Sequence, residues 1–108
     1  DVLLGGDGAD QLEGNAGQDS LTGNAGADRF VFRYLDGSDV ITDFVDNVDT
    51  LLLDKTLWDR APMSVATLLA TFATFMDNTV VLNFGEGDRM TIYGLTSTNA
   101  LLDDLLFI

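Results

Sequence analysis

The residues with the clearest chemistry in this chain are its aspartates. Only two of the 18 acidic residues are glutamates, Glu13 and Glu86, and four of the aspartates recur every nine residues, at positions 1, 10, 19 and 28. Aspartate favours turns, and its short side chain is a stiff oxygen ligand. Hard divalent cations such as calcium bind carboxylate and carbonyl oxygens. The spacing therefore predicts an oxygen-ligand site that repeats from one turn to the next.

The aspartates belong to a gapless nonapeptide repeat. Three copies cover residues 5–13, 14–22 and 23–31, and residues 1–4 end a further copy. Glycine or Gly-Asn at the start of each copy tolerates positive φ and allows a tight turn. The Asp-x-apolar-x stretch that follows alternates with the period of a short strand. The apolar residue two positions after each aspartate is predicted to face inward; these residues are Leu3, Leu12, Leu21 and Phe30.

Turns and strands that alternate in this way make one coil from two nonapeptides. Turns two repeats apart then stack, which brings Asp10 near Asp28 and Asp1 near Asp19. At about 4 Å, two carboxylates repel by roughly 1 to 4 kcal/mol. Calcium reverses the sign, and it suits an irregular oxygen shell better than magnesium does. With one large apolar residue per repeat, metal binding and folding are expected to be a single event. The alternative, a flexible acidic linker, gives no reason for the periodic apolar residues.

The nonapeptide resembles the repeat-in-toxin (RTX) family of secreted bacterial proteins, whose repeat is a calcium-binding β-helix motif. The resemblance covers residues 1–31 and implies that the sixth-position aspartates and the carbonyls of the preceding turn bind calcium. The second and third copies depart from the family by having Asn in place of the second glycine, which is a mild change because Asn tolerates the left-handed region. The implied ligands are Asp1, Gly6, Gly8, Asp10, Asn15, Gly17, Asp19, Asn24, Gly26 and Asp28.

After Phe32 the repeat becomes irregular. Asp39 lies eleven residues after Asp28 and reads as part of a degenerate turn stacked on residues 14–19, so that it shares a calcium with Asp19. Residues 41–51 resemble the segment that follows the repeats in secreted metalloprotease C-terminal domains, similar to the serralysin type. Two interpretations of its three acids stay open: they close a further site against Asp28, or they are turn formers and solvated acids. These acids are Asp43, Asp46 and Asp49.

The C-terminal half carries fewer chemical signals. Residues 51–53 predict a short strand, and Ser64 predicts the N-cap of a helix with an apolar face. Residues 79–84 and 89–93 predict a hairpin, residues 99–104 a short helix, and residues 105–108 a final strand. The hairpin and the two acids before the hydrophobic end resemble the C-terminal portion of proteins exported by type I secretion. That resemblance implies an uncleaved export signal; the alternative is an edge strand that completes a β-sandwich.

Composition excludes several functions. A net charge of −13, with only five basic residues, argues against nucleic acid and anionic membranes as partners. The absence of Cys and His removes thiol nucleophiles, Ser-His-Asp triads and typical zinc sites. No apolar run is long enough for membrane insertion. The chain starts without Met and in mid-repeat, so we expect it to be the tail of a longer protein, with any catalytic domain upstream and no enzymatic activity of its own.

The predicted fold is all-β: a right-handed parallel β-roll over residues 1–50 that continues into a small β-sandwich-like cap with one or two short helices over residues 51–108. The predicted function is calcium binding, with about two or three ions, that drives folding of the C-terminal module of a secreted bacterial protein. Expected partners are calcium and the type I secretion machinery. An alternative is a calcium-dependent module that binds extracellular polysaccharide or a cell surface for an upstream enzyme. The oligomeric state is left open, because an exposed end of the roll presents unpaired backbone groups that can pair with another chain.

Overall fold

The computed structural model describes all residues from 1 to 108. It contains ten strands, one α-helix and two short 3-10 helices, at Lys55–Trp58 and Thr98–Leu101. The helix, α1, runs over Val65–Phe72. The strands are β1 Val2–Leu4, β2 Gln11–Glu13, β3 Ser20–Thr22, β4 Arg29–Phe32, β5 Ser38–Ile41, β6 Thr50–Leu53, β7 Ala73–Met76, β8 Thr79–Gly85, β9 Asp88–Tyr93 and β10 Leu105–Phe107.

The strands form two sheets, and the first six strands alternate between them. One sheet has the order β1-β3-β5-β9-β8-β7, and the other has the order β10-β6-β4-β2. Strands two positions apart in the chain pair in parallel, so β1 pairs with β3, β2 with β4, β3 with β5 and β4 with β6. Two nonapeptides therefore make one coil, and the predicted parallel β-roll within a mostly β fold is confirmed.

The interior of the roll is lined by one apolar row from each sheet. In the larger sheet, Leu3, Leu21, Ile41 and Ile92 stand side by side, one from each neighbouring strand. In the smaller sheet the row is Leu12, Phe30, Leu51 and Leu105. All of these except Leu3 are buried core residues. Because each repeat contributes a single large side chain to the core, the coils gain only modest stability from apolar burial.

The turns between the strands need left-handed backbone conformations. Asn15 and Asn24 have φ angles of 62° and 64°, which confirms that Asn takes the place of the second glycine. The fourth turn position is glycine throughout the repeats, and successive coils approach closely there. A Cβ on Gly26 would collide with the carbonyl oxygen of Gly8 in the preceding coil. The stacking of the turns therefore depends on the missing side chain.

The C-terminal half continues the two sheets of the roll. Strand β9 of the β8–β9 hairpin pairs in parallel with β5, and β10 pairs in parallel with β6. The predicted hairpin, final strand and helix are present, and Ser64 Oγ caps α1 by accepting from the Thr67 amide at 3.1 Å. The short helix expected over 99–104 is the 3-10 turn at 98–101. Strand β7 was not predicted; it pairs with β8 at the edge of the larger sheet.

An aromatic cluster closes the far end of the roll. Trp58 packs against Phe107 with ring centroids 4.7 Å apart, and Phe72 packs against Phe84 at 4.9 Å. Phe32 and Trp58 each lie about 6 Å from Phe84. These rings join the same buried cluster as the apolar rows of the roll. The boundary between roll and cap at residue 50 thus crosses a shared core; the assignment of residues 1–50 and 51–108 as roll and cap of one continuous unit stays a prediction. The structure has no helix both long and apolar enough to cross a membrane.

Candidate metal centre

The turns lie in two stacks, one on each side of the roll. The first stack contains residues 5–10, 23–28 and 44–49, and the second contains residues 14–19 and 34–39, followed by the hairpin turn 85–88. The stacking of the first five turns follows from the strand pairing, because each of them joins the larger sheet to the smaller one or the reverse. The degenerate turn at 34–39 therefore stacks on 14–19, as its aspartate spacing predicted.

Within each stack, the sixth-position aspartate of a later turn accepts a hydrogen bond from the backbone of the coil before it. Asp28 Oδ1 accepts from the backbone amide of Asp10 at 3.0 Å. Asp39 Oδ1 accepts in the same way from the amide of Asp19 at 3.1 Å. Asp19 Oδ1 lies 2.7 Å from the α-amino nitrogen of Asp1. The structure thus brings together the pairs that the repeat predicted, Asp10 with Asp28 and Asp1 with Asp19.

The second carboxylate oxygen of four aspartates has no hydrogen-bond partner, and we call it the orphan oxygen. Oδ2 of each of these side chains is buried and accepts no hydrogen bond; we call the four residues the ladder aspartates, and they are Asp10, Asp19, Asp28 and Asp39. A buried charged oxygen without a partner lowers the stability of the fold by on the order of 1 to 3 kcal/mol or more, unless a cation compensates its charge. The set is regular, with two such oxygens in each stack. These oxygens fit a bound cation.

The first glycine of each repeat leaves room beside the orphan oxygen. A Cβ on Gly5 would stand 2.9 Å from Asp10 Oδ2, and one on Gly14 would stand 2.6 Å from Asp19 Oδ2. At Gly23 the added Cβ would collide with Asp28 Oδ2. Backbone and carboxylate therefore approach each other across each turn more closely than a side chain permits. Such a cradle suits an ion held by carboxylate and carbonyl oxygens.

Burial also affects the proton affinity of the fully enclosed ladder aspartate, Asp39. Desolvation raises its pKa from 3.8 to about 7, and the nearby charges of Asp19 and Asp36 act in the same direction. The hydrogen bond from the Asp19 amide opposes the shift only in part. A divalent cation would restore the ionised form, because an opposite charge favours it.

Backbone carbonyls have to complete any ion shell at these turns. No three acidic side chains gather around one point in the structure. Calcium takes six to eight oxygens, so one or two carboxylates per ion leave most positions to carbonyls and water. The residues predicted from the repeat to supply these carbonyls all lie in the stacked turns, and each of them has a positive φ; they are Gly6, Gly8, Asn15, Gly17, Asn24 and Gly26. Their carbonyls as ligands stay a prediction.

Two of the three acids predicted from the exit segment, Asp46 and Asp49, differ from the ladder aspartates. Asp49 Oδ1 accepts from the Asp28 amide at 2.9 Å, and its Oδ2 accepts from the Val45 amide at 2.9 Å. Asp46 is exposed and lies beside Asp104, where its charge helps raise the pKa of Asp104, although burial is the larger cause. Neither residue has an orphan oxygen, and their role as metal ligands stays a prediction.

Asp43, the third acid of the exit segment, and two further aspartates accept hydrogen bonds from distant turns, which the sequence did not predict; the role of Asp43 as a metal ligand stays a prediction. Asp43, Asp88 and Asp104 accept hydrogen bonds from turn amides with their side chains. Asp88 and Asp104 are buried, although the sequence placed Asp88 in an ordinary hairpin turn. Asp36 is also buried, and burial raises its pKa although its Oδ2 accepts from the Arg33 amide at 2.8 Å. No periodic spacing marks these positions, so the only signal was the acid itself.

Comparison with known proteins agrees with this geometry. Residues 1–31 match the RTX calcium-binding nonapeptide repeat in four copies. The fold is similar to that of the extracellular lipase LipA from Serratia marcescens, with a TM-score of 0.67 and 21% sequence identity over 96% of this chain. The chain spans 20% of the length of that lipase. It is also similar to the C-terminal domain (RV) of MpAFP, with a TM-score of 0.52 and 28% identity over 84% of this chain and 74% of that one. No curated protein sequence matches the chain.

The family match and the orphan oxygens concern the same residues. The family match ends at residue 31, and three of the four ladder aspartates lie inside it. RTX repeats bind calcium, and the orphan oxygens provide the donor type that calcium takes. Residues 1–31 are therefore RTX calcium-binding nonapeptide repeats.

Proposed function

We propose that calcium binds between stacked turns of the roll and drives the folding of this C-terminal module. The observation that carries the proposal is the set of orphan oxygens on the four ladder aspartates. Without a cation these oxygens destabilise the folded state, because charged oxygens lose water without gaining a partner. With calcium the same oxygens become ligands, and each ion joins two coils. Binding energy then appears as folding energy.

The proposed ligands are the ladder aspartates together with carbonyls of the turns. Each stack carries two orphan oxygens, which supports at least one ion in each stack and about two or three ions in all. An oxygen that already accepts an amide hydrogen bond is a weaker candidate. Among the predicted ligands, Asp49 is in that position on both oxygens.

We further propose that the chain is the calcium-binding end of a secreted bacterial protein exported by type I secretion, and that it is not itself an enzyme. Extracellular calcium-binding modules have affinities of roughly 10⁻⁴ to 10⁻³ M, which suits binding outside the cell. The net charge of −13 favours an expanded chain before calcium is bound, because like charges repel. No contact in the structure favours the alternative, a module that binds polysaccharide, so it stays a prediction.

The test is a calcium titration from a chelated start, followed by far-UV circular dichroism, with magnesium as the control ion. We expect β signal to increase cooperatively with calcium and not with magnesium. A spectrum that calcium leaves unchanged, together with no heat of binding, would show that the ladder aspartates do not hold a metal.

A further inference from the structure

Aspartates from outside the repeats hold the backbone amides of the last turns. Asp88, in the β8–β9 hairpin, accepts from the Leu35 amide at 3.0 Å and from the Gly37 amide at 3.2 Å. Both oxygens of this carboxylate are used, and the side chain is buried. The two amides belong to the turn 34–39, where Leu35 and Gly37 have positive φ. The hairpin thus fixes the last repeat-like turn of the second stack.

The first stack is held in the same manner. Asp43 accepts from the Gly23 amide at 2.9 Å and from the Asn24 amide at 2.7 Å. Asp104, close to the C-terminal strand, accepts from the Asn47 amide at 2.8 Å. We call these three residues the latch aspartates: Asp43, Asp88 and Asp104. They serve the turns at 23–28, 34–39 and 44–49, respectively.

The first two turns have no latch. The amides at their second and fourth positions donate to no side chain, whereas each of the three later turns has at least one such amide bound to a latch aspartate. The amides without an acceptor belong to Gly6, Gly8, Asn15 and Gly17. The turns at 5–10 and 14–19 are therefore held only by the hydrogen bonds that the ladder aspartates accept and by the pairing of the flanking strands. They also contain two of the four orphan oxygens.

Turn amides in left-handed conformations form a concave surface that attracts an anion. In the last three turns the protein supplies that anion from its own chain. Asp43 and Asp88 each accept amide hydrogen bonds with both carboxylate oxygens, so their charges need no metal, whereas Asp104 accepts with one oxygen. Strands β5 and β6, which follow the last two of these turns, also pair directly with strands β9 and β10 of the cap. Both effects stabilise the same part of the roll in the absence of calcium.

We infer that the latch aspartates keep residues 23–108 ordered without calcium, and that calcium-driven folding is confined to residues 1–22. This rests on the proposed function and refines it: calcium completes a roll whose last three turns are already formed. The latch aspartates are positioning residues, since they hold turns beside the ladder aspartates and use their own oxygens on amides. The half of each ion site that Asp28 or Asp39 contributes is then already in place before the turn of Asp10 or Asp19 folds against it.

Amide hydrogen exchange measured by mass spectrometry tests this on the full chain. In chelator, we expect peptides from residues 33–53 and 79–93 to exchange at least about tenfold more slowly than peptides from residues 5–19. Saturating calcium is expected to protect residues 5–19 as well. Uniform fast exchange of the wild-type chain in chelator, followed by uniform protection with calcium, would overturn the inference while leaving the proposed function intact. Failure of calcium to protect residues 5–19 would instead contradict the proposed function.

Two variants connect the protection to the latches. Asp88→Asn keeps the size of the side chain but replaces one acceptor oxygen by a donor, so residues 34–41 should lose at least about tenfold of their protection in chelator and regain it with calcium. Asp43→Asn should do the same at residues 23–28, which tests the other stack independently. The matched control is Asp77→Asn. Asp77 lies in the exposed turn between β7 and β8, and its side chain makes no hydrogen bond. Equal exchange in wild type, Asp88→Asn and Asp43→Asn would show that the latches position nothing.

Discussion

The two oxygens of Asp39 have different environments: Oδ1 accepts a hydrogen bond from the Asp19 amide at 3.1 Å, and Oδ2 is buried with no partner. The first contact sets the register between two coils of the second stack. The second oxygen cannot be satisfied by the protein, although Asp39 is completely buried. One side chain therefore stabilises the stack through Oδ1 and destabilises it through Oδ2. A cation at Oδ2 removes this conflict, which makes Asp39 the most sensitive position for testing calcium binding.

Replacing Asp39 by Asn should have opposite effects with and without calcium. Asn keeps an oxygen for the Asp19 amide but removes the buried charge, so the calcium-free fold should gain about 1 kcal/mol in free energy of unfolding. The calcium affinity should fall by about tenfold or more, because an ionised ligand is lost. Urea denaturation in chelator and titration calorimetry measure the two effects. Asp77→Asn, at an exposed acid whose side chain makes no hydrogen bond, should change neither by much. A variant less stable in both conditions would refute the conflict at Oδ2.

Calcium binding should depend on pH through the same carboxyl group. The pKa of Asp39 in the calcium-free fold is about 7, against an ordinary value of 3.8. Between these values the folded chain holds a proton that the unfolded chain has released, so the calcium-free fold becomes more stable as pH falls from about 7 towards 4. Calcium must displace this proton, and its apparent affinity should therefore weaken below about pH 7.

Calorimetry at pH 6 and pH 8, in buffers of different ionisation enthalpy, measures both the affinity and the protons released. The expected result is weaker binding at pH 6 than at pH 8, with more protons released per bound ion at pH 6, where Asp39 is mostly protonated before calcium binds. Asp39→Asn should reduce the proton release. Equal proton release in the wild type and in Asp39→Asn would show that the proton comes from another group.

Leu35 is expected to be a strained residue. It has a φ of 67°, at the turn position where the repeats have Asn15 and Asn24, and its side chain is exposed. A left-handed conformation costs a Leu residue about 1 kcal/mol, whereas Asn or Gly adopts it readily. Leu35→Asn should therefore raise the free energy of unfolding by about 1 kcal/mol. Urea denaturation at saturating calcium measures it. The control is Ala25→Gly in the turn 23–28, which precedes 34–39 along the chain. Ala25 does not have a positive φ, so the added flexibility of glycine should lower stability.

The sequence predicted the parts of the structure that depend on local period. The nine-residue spacing predicted the strands β1 to β4 and their inward apolar residues, and the degenerate turn after Phe32 predicted the stacking of Asp39 on the turn of Asp19. Ser64 predicted the start of α1, and Gly85 with Gly87 predicted the hairpin turn. Parallel pairing of β9 with β5 could not be predicted, because hairpin residues carry no mark of the distant strand they meet. The latch aspartates were missed for the same reason: Asp88 acts on Leu35 across more than fifty residues.

The close approach of successive coils at the fourth turn position gives a final prediction with an internal control. Gly8 and Gly26 both have positive φ, 94° and 105°, so Ala at either position incurs a similar backbone cost of about 1 to 2 kcal/mol. The space around them differs. A Cβ on Gly8 meets nothing within 4 Å, whereas a Cβ on Gly26 would collide with the Gly8 carbonyl.

Gly26→Ala should therefore destabilise the calcium-bound protein by about 2 kcal/mol more than Gly8→Ala, because the coils must separate and disturb the carbonyls that surround the ion. Its calcium affinity should fall as well, while Gly8→Ala should lose mainly stability. Urea denaturation at saturating calcium and calorimetry of calcium binding measure the two quantities. Equal losses in the two variants would mean that the cost lies in the φ angle alone, and that the close stacking of coils at this position has no part in calcium binding.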